Sequence, residues 1–134
     1  VDRFPSDKTE AMTAAGICIR FAVDDSPERS LLIRKGAQLL GATKPEWNEA
    51  AGTIDMVAWY LGSQALFMVG GAEWTRWKRA LEKTLLGRQR RQGGRRGLGG
   101  TWDPAGPWGS YGGRVYATAL MTLALETPER YPRR

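Results

Sequence analysis

At 134 residues, 42% hydrophobic and 25% charged, the chain has the composition of one folded domain with enough length to bury a core. One cysteine and no histidine exclude an intramolecular disulfide framework and set aside zinc chemistry and Ser-His or Cys-His catalysis within this chain. The net charge of +6 is uneven, with seven Lys/Arg against nine Asp/Glu in residues 1–70 and thirteen against five in residues 71–134.

The first segment, from about Lys8 to Ala22, places Met12, Ala15, Ile19 and Ala22 at helical spacing, which predicts an amphipathic helix buried along that stripe. Cys18 reads as a small hydrophobe on this helix. Ser26-Pro27-Glu28 then supplies an N-cap, a proline at the first helical position and an early acid, and the pattern runs to Leu40 before Gly41. Leu32, Gly36, Leu39 and Leu40 are expected to face inward. After a loop holding Pro45 and Trp47, residues Thr53 to Val69 are apolar nearly all round, as a helix buried on most sides requires.

Gly70-Gly71 ends that helix, and the segment from Ala72 to about Arg88 returns to a one-sided pattern with Trp74, Trp77, Leu81 and Leu85 on its apolar face. Residues Gln89 to Gly112 read as a loop with eight glycines, too long for a routine connection in a compact domain. Gly113 to Glu126 is again apolar on almost every face until Pro128 closes it. The expected fold is therefore all-α, about five to six helices with an inner apolar and an outer amphipathic layer, forming a single domain over 1–134.

The stretches DMVAWYLGSQALFMVGGAEWTRWKRALEKTLLGRQ, GGTWDP and WGSYGGRVYATALMTLALE resemble the bacterial prenyltransferase and squalene-oxidase repeat proteins, relatives of the terpenoid cyclases and protein prenyltransferases. The resemblance covers roughly Thr53 to Tyr131 and implies a partial α/α toroid. It implies further that a glutamine, Gly100 and Trp102 form something similar to the family's QW motif, tying an outer helix to the next inner one. Ten residues separate Gln89 from Gly100, more than the motif usually has, and Gln92 is nearer, so either glutamine can serve. Asp103-Pro104, Trp108, Gly112-Gly113 and Arg114 complete this structural signature, with Trp102 and Trp108 as plugs over helix ends.

The family's chemistry does not carry over residue by residue. No Asp-rich D-x-D-D box is present, and Asp24-Asp25 in DDSPE matches a diphosphate-binding pattern only formally, since Pro27 breaks the helix there. Neither catalytic residue, metal nor cofactor is expected. Trp59, Tyr60, Phe67 and Tyr116 are the candidates for an apolar ligand face. Arg88, Arg90, Arg91, Arg95 and Arg96 could attract an anionic partner, although no folded nucleic-acid motif accompanies them.

Five or six helices fall short of a closed toroid, so self-association or the remainder of a longer chain is expected to cover the open inner faces. The first expectation is a non-catalytic scaffold or binding unit for a hydrophobic ligand or protein partner. The alternatives are a partial or degenerate terpene-cyclase/prenyltransferase-like enzyme and an anion-binding module acting through residues 88–96. No stretch reaches the roughly 18 apolar residues of a spanning helix, and VDRFPSDKTE is unlike a signal peptide, so the chain reads as soluble with no targeting signal of its own. Its start at Val1 without a methionine fits excision from something longer.

Overall fold

The computed structural model describes residues 10–91 and 97–131, and the fold is all-α, with no strand among these residues. In chain order the helices are α1 (Glu10–Val23), α2 (Leu31–Ala42, after a 3-10 turn at Pro27–Arg29), α3 (Met56–Val69), α4 (Gly71–Arg88), α5 (Gly109–Leu125) and the short α6 (Thr127–Arg130). Lys8, where the first helix was expected to begin, lies outside the described residues.

α3 is the central element. Its buried residues include Met56, Trp59, Ser63, Leu66 and Phe67, which point to more than one side of the helix, as an all-round apolar sequence demands. It packs against α1, α2, α4, α5 and α6. Asp55 rather than Thr53 starts it, because the Asp55 carboxylate accepts the Ala58 N–H at 2.9 Å. On α4, Trp74, Trp77, Leu81 and Leu85 are buried as their spacing predicts. Trp77 lies across Gly62 so closely that a Cβ there would stand 2.7 Å from the ring, and its indole N–H donates to Ser63 Oγ, which itself donates to the Trp59 carbonyl. A polar relay therefore crosses the α3–α4 contact without leaving a buried donor unpaired.

Two orders of neighbours result. α1, α3 and α5 touch in succession, α2 touches α4, and α1 packs against α2 and α3 against α4 across short connections.

The structure corrects the buried stripes of α1 and α2. Met12 and Ile19 are 69% and 61% exposed, and the buried face carries Ala14 and Ile17 with Cys18 and Phe21 beside them. Leu32 and Leu39 are likewise exposed, while Ile33, Gly36, Ala37 and Leu40 are buried, so Gly36 and Leu40 keep their expected place. The reason is the same in both helices. Ala14-Ile17-Cys18-Phe21 and Ile33-Gly36-Ala37-Leu40 each fill the complete i, i+3, i+4, i+7 template, and their small members allow close approach: Ile17 Cδ1 would stand 3.1 Å from a Cβ on Gly36. Larger side chains on a sparser stripe lose to this fit. Capping is displaced too, because Ser26 makes no side-chain cap and Ser30 instead accepts the Ile33 N–H at the start of α2.

α5 also departs from expectation. It begins at Gly109, not Gly113, and Gly113 breaks it with φ 67° and ψ −168°, so the residues before Arg114 form a separate helical turn. Ala117, Met121 and Ala124 are buried, yet Val115 is 84% exposed, so α5 buries one stripe rather than every face.

Candidate functional site

The glycine-rich connection between α4 and α5 is pinned at both ends. The Arg90 N–H donates to the Thr101 carbonyl and the Gly100 N–H to the Arg90 carbonyl, each at 2.8 Å, which closes the intervening segment at its base. Gln89 Nε2 donates to the Gly100 carbonyl at 2.9 Å, so Gln89 is the glutamine that reaches Gly100; Gln92 lies outside the described residues. Trp102 is fully enclosed, its Nε1 donating to the Leu85 carbonyl and its backbone N–H to Thr118 Oγ1. The Leu85 carbonyl belongs to the last turn of α4 and also accepts the Gln89 N–H, so the indole adds a second bond there while covering the apolar end of the bundle.

Asp103 receives both Arg90 and Arg114, and Arg114 also donates to the Trp102 carbonyl. The Arg90 hydrogen bond, followed by that of Arg114 against slight desolvation, holds the Asp103 carboxyl below the usual carboxylate range. Its stabilising contribution is present at neutral pH and disappears as pH falls through that lowered value. With both members of the Arg90 pair 46% exposed, this contribution is small. Pro104 lies against Gly109, where a Cβ would come within 2.8 Å of its carbonyl carbon. The structure thus draws Gln89, Gly100, Trp102, Asp103, Pro104 and Arg114 into one assembly. Trp108 stands at the start of α5 and is 40% exposed, less enclosed than Trp102. Gly112 sits where a Cβ would overlap the Tyr116 ring.

The proposed apolar face does not form as one surface. Trp59 and Phe67 line different cavities, and Tyr60 and Tyr116 line neither. Trp59, Tyr60 and Phe67 diverge because α3 is apolar nearly all round and points its rings in different directions, and Tyr116 comes from a different helix, α5. Tyr116 is half-buried, and burial, with the Asp55 charge second, raises its hydroxyl pKa.

The first cavity, of about 680 Å³, opens between α1, the C-terminal turn of α3, the Gly70-Gly71 turn and the start of α4. Its walls include Cys18, Phe21, Phe67, Met68 and Trp74, closed at one side by Tyr131, whose hydroxyl accepts from Gln64 Nε2. Phe67 and Trp74 meet edge to face, with centroids 5.4 Å apart. No charged side chain lines it. Burial pushes the Cys18 thiol above its ordinary pKa, so it is protonated and weakly nucleophilic at neutral pH. Phe21 and Trp74 were not expected to act together; Cys18 and Phe21 at i, i+3 were the available signal.

The second cavity, of about 810 Å³, lies between the α2–α3 connection and the later turns of α4. Trp47 and Trp59 line it with centroids 6.2 Å apart and planes tilted by 51°, and the Arg88 guanidinium sits 6.0 Å above the Trp47 ring. Thr84 Oγ1 donates to the Pro45 carbonyl and so fastens this connection to α4. The arginine run is therefore divided: Arg88 turns to Trp47, Arg90 to Asp103, Arg91 is exposed, and Arg95 and Arg96 lie outside the described residues.

Asp24 pairs with Arg20 at 3.3 Å at the end of α1, and Asp25 is exposed beyond it. Among the described residues, no group of three or more His, Cys, Asp or Glu could hold a metal ion, and no helix is long and apolar enough to cross a membrane. Compared with known proteins, the chain matches no family model, no curated protein and no solved structure.

Proposed function

We propose that the chain is a non-catalytic helical binding module that holds a hydrophobic small molecule between α1, α3 and α4. The observation that carries this reading is a cavity of about 680 Å³ walled by Phe21, Phe67, Met68 and Trp74 with no charged side chain in its lining. Such a space excludes ions by their desolvation cost and rewards apolar surface. The polar groups present are poorly suited to chemistry: Cys18 is held protonated, and Thr75 Oγ1 already donates to the Gly71 carbonyl.

Because Cys18 is the chain's one cysteine and lies in the wall, a thiol label reports on occupancy. Saturating N-phenyl-1-naphthylamine, a neutral apolar fluorophore, is expected to bind one per chain and slow maleimide labelling of Cys18 by about tenfold or more, as exclusion from an occupied pocket requires. Labelling of the empty protein rises with pH as the thiolate forms. An unchanged labelling rate at saturation would remove the cavity from consideration.

Within this reading the module is an arc of an α/α toroid completed by self-association. Support comes from the succession α1, α3, α5 beside α2, α4 and from apolar side chains left exposed on α1 (Met12, Ile19, Val23) and α2 (Leu31, Leu32, Leu39). A two-fold dimer is the simplest arrangement. Sedimentation equilibrium at micromolar concentration is expected to give twice the chain mass; a single-chain mass refutes the association.

A further inference from the structure

We infer that the cavity between the α2–α3 connection and α4 is a second binding site, for a planar aromatic anion such as an aryl phosphate or aryl carboxylate. Its walls supply flat apolar surface. The Trp47 and Trp59 rings flank the space at 51° to one another, and Trp77 has its indole N–H spent on Ser63, which leaves it only carbon to offer a ligand. A ring entering here meets indoles on adjacent walls.

The same space gathers cations that lack acidic partners. Lys44 comes from the α2–α3 connection, and Lys83 and Arg88 come from α4; among the described residues none of the three lies within ion-pair distance of a carboxylate. Arg88 is held over the Trp47 face, an arrangement that fixes the guanidinium plane while leaving its N–H edges available for two parallel bonds to a carboxylate or phosphate. Three acids share the lining. Asp55 is committed to the start of α3 through the Ala58 N–H, where the helix dipole favours its charge, and Glu10 and Glu46 are the other two acids of the lining. The flat indole walls call for a planar ligand, and the positive charges of Arg88, Lys83 and Lys44 call for a negative one. This chemistry differs from that of the uncharged cavity behind Cys18.

The test is a charge series on one ring, read by quenching of tryptophan fluorescence in the full chain with 1-naphthyl phosphate, 1-naphthol and 1-naphthylmethylammonium. The phosphate is expected to bind about tenfold or more tighter than naphthol, and the ammonium no tighter than naphthol, because charge-assisted bidentate bonds favour the anion alone. Arg88→Gln and Lys83→Gln change exposed side chains and leave the far-ultraviolet circular dichroism intact; each is expected to shrink the phosphate advantage, as does raised salt. Protein labelled at Cys18 retains the phosphate site, which separates the two cavities. Equal binding of phosphate and naphthol, tightest binding of the ammonium, or a phosphate titration unmoved by Arg88→Gln would each overturn the assignment.

Discussion

Trp102→Ala is expected to lower the free energy of unfolding by about 3–5 kcal/mol, the range for truncating a fully buried aromatic. Trp102 is 2% exposed, and its ring joins the end of α4 to α5 by donating to the Leu85 carbonyl at 2.8 Å while Thr118 holds its backbone. Alanine removes both the packing and the bond. Trp102→Phe separates them: the Leu85 carbonyl still accepts the Gln89 N–H at 2.9 Å, so losing the indole bond leaves no orphan acceptor and costs only about 1 kcal/mol from that source. Urea denaturation of the three proteins measures both differences. A loss under about 1 kcal/mol for the alanine variant would contradict a buried structural role.

Gly106→Ala is expected to cost about 2–5 kcal/mol, from a backbone conformation that penalises a side chain by roughly 1–2 kcal/mol and from overpacking worth about 1–3 kcal/mol. Gly106 has φ +74°, and a Cβ on it would overlap the Ile54 carbonyl oxygen and stand 3.2 Å from Ile54 Cγ2. The obstacle is mainly backbone, which cannot turn aside as a flexible side chain can. Gly52→Ala is the control, since Gly52 has φ +63° with nothing within 4 Å of the added Cβ. It therefore isolates the conformational cost. Paired denaturation curves should show the Gly106 variant losing more; equal losses would mean that the loop does not close on Ile54.

How far these features can be read beforehand depends on the length scale of the interaction that makes them. α3 and α4 are legible because an all-round apolar helix has one solution and because Trp74, Trp77, Leu81 and Leu85 fall on one stripe with charges elsewhere. α1 and α2 each offer two stripes, and the choice falls to the small-residue fit of Ile17 against Gly36, a contact between helices that periodicity alone does not contain. The closure of Gln89 on Gly100 was visible as a motif with two candidate glutamines. Its reinforcement by Asp103 with Arg90 and Arg114 joins residues more than ten positions apart and leaves no local pattern. The cavities were hidden for the same reason, as each wall belongs to a different element. Trp59 and Phe67 looked like members of one face because both are aromatic, whereas their positions on α3 send them to separate spaces.

The central position of α3 bears on how those spaces communicate. Trp59 and Phe67 are eight residues apart on one continuous helix, about 12 Å along its axis at 1.5 Å per residue. The two spaces also share α4, so filling one can alter affinity in the other by moving either helix, and α3 is gripped by all five other helices. Coupling between sites must act equally in both directions and needs two arrangements of the connecting element. With α3 so enclosed and α4 packed against it, one arrangement of the pair is expected, and the two occupancies are then expected to be independent: each ligand adds its own increment to stability and leaves the other's dissociation constant unchanged.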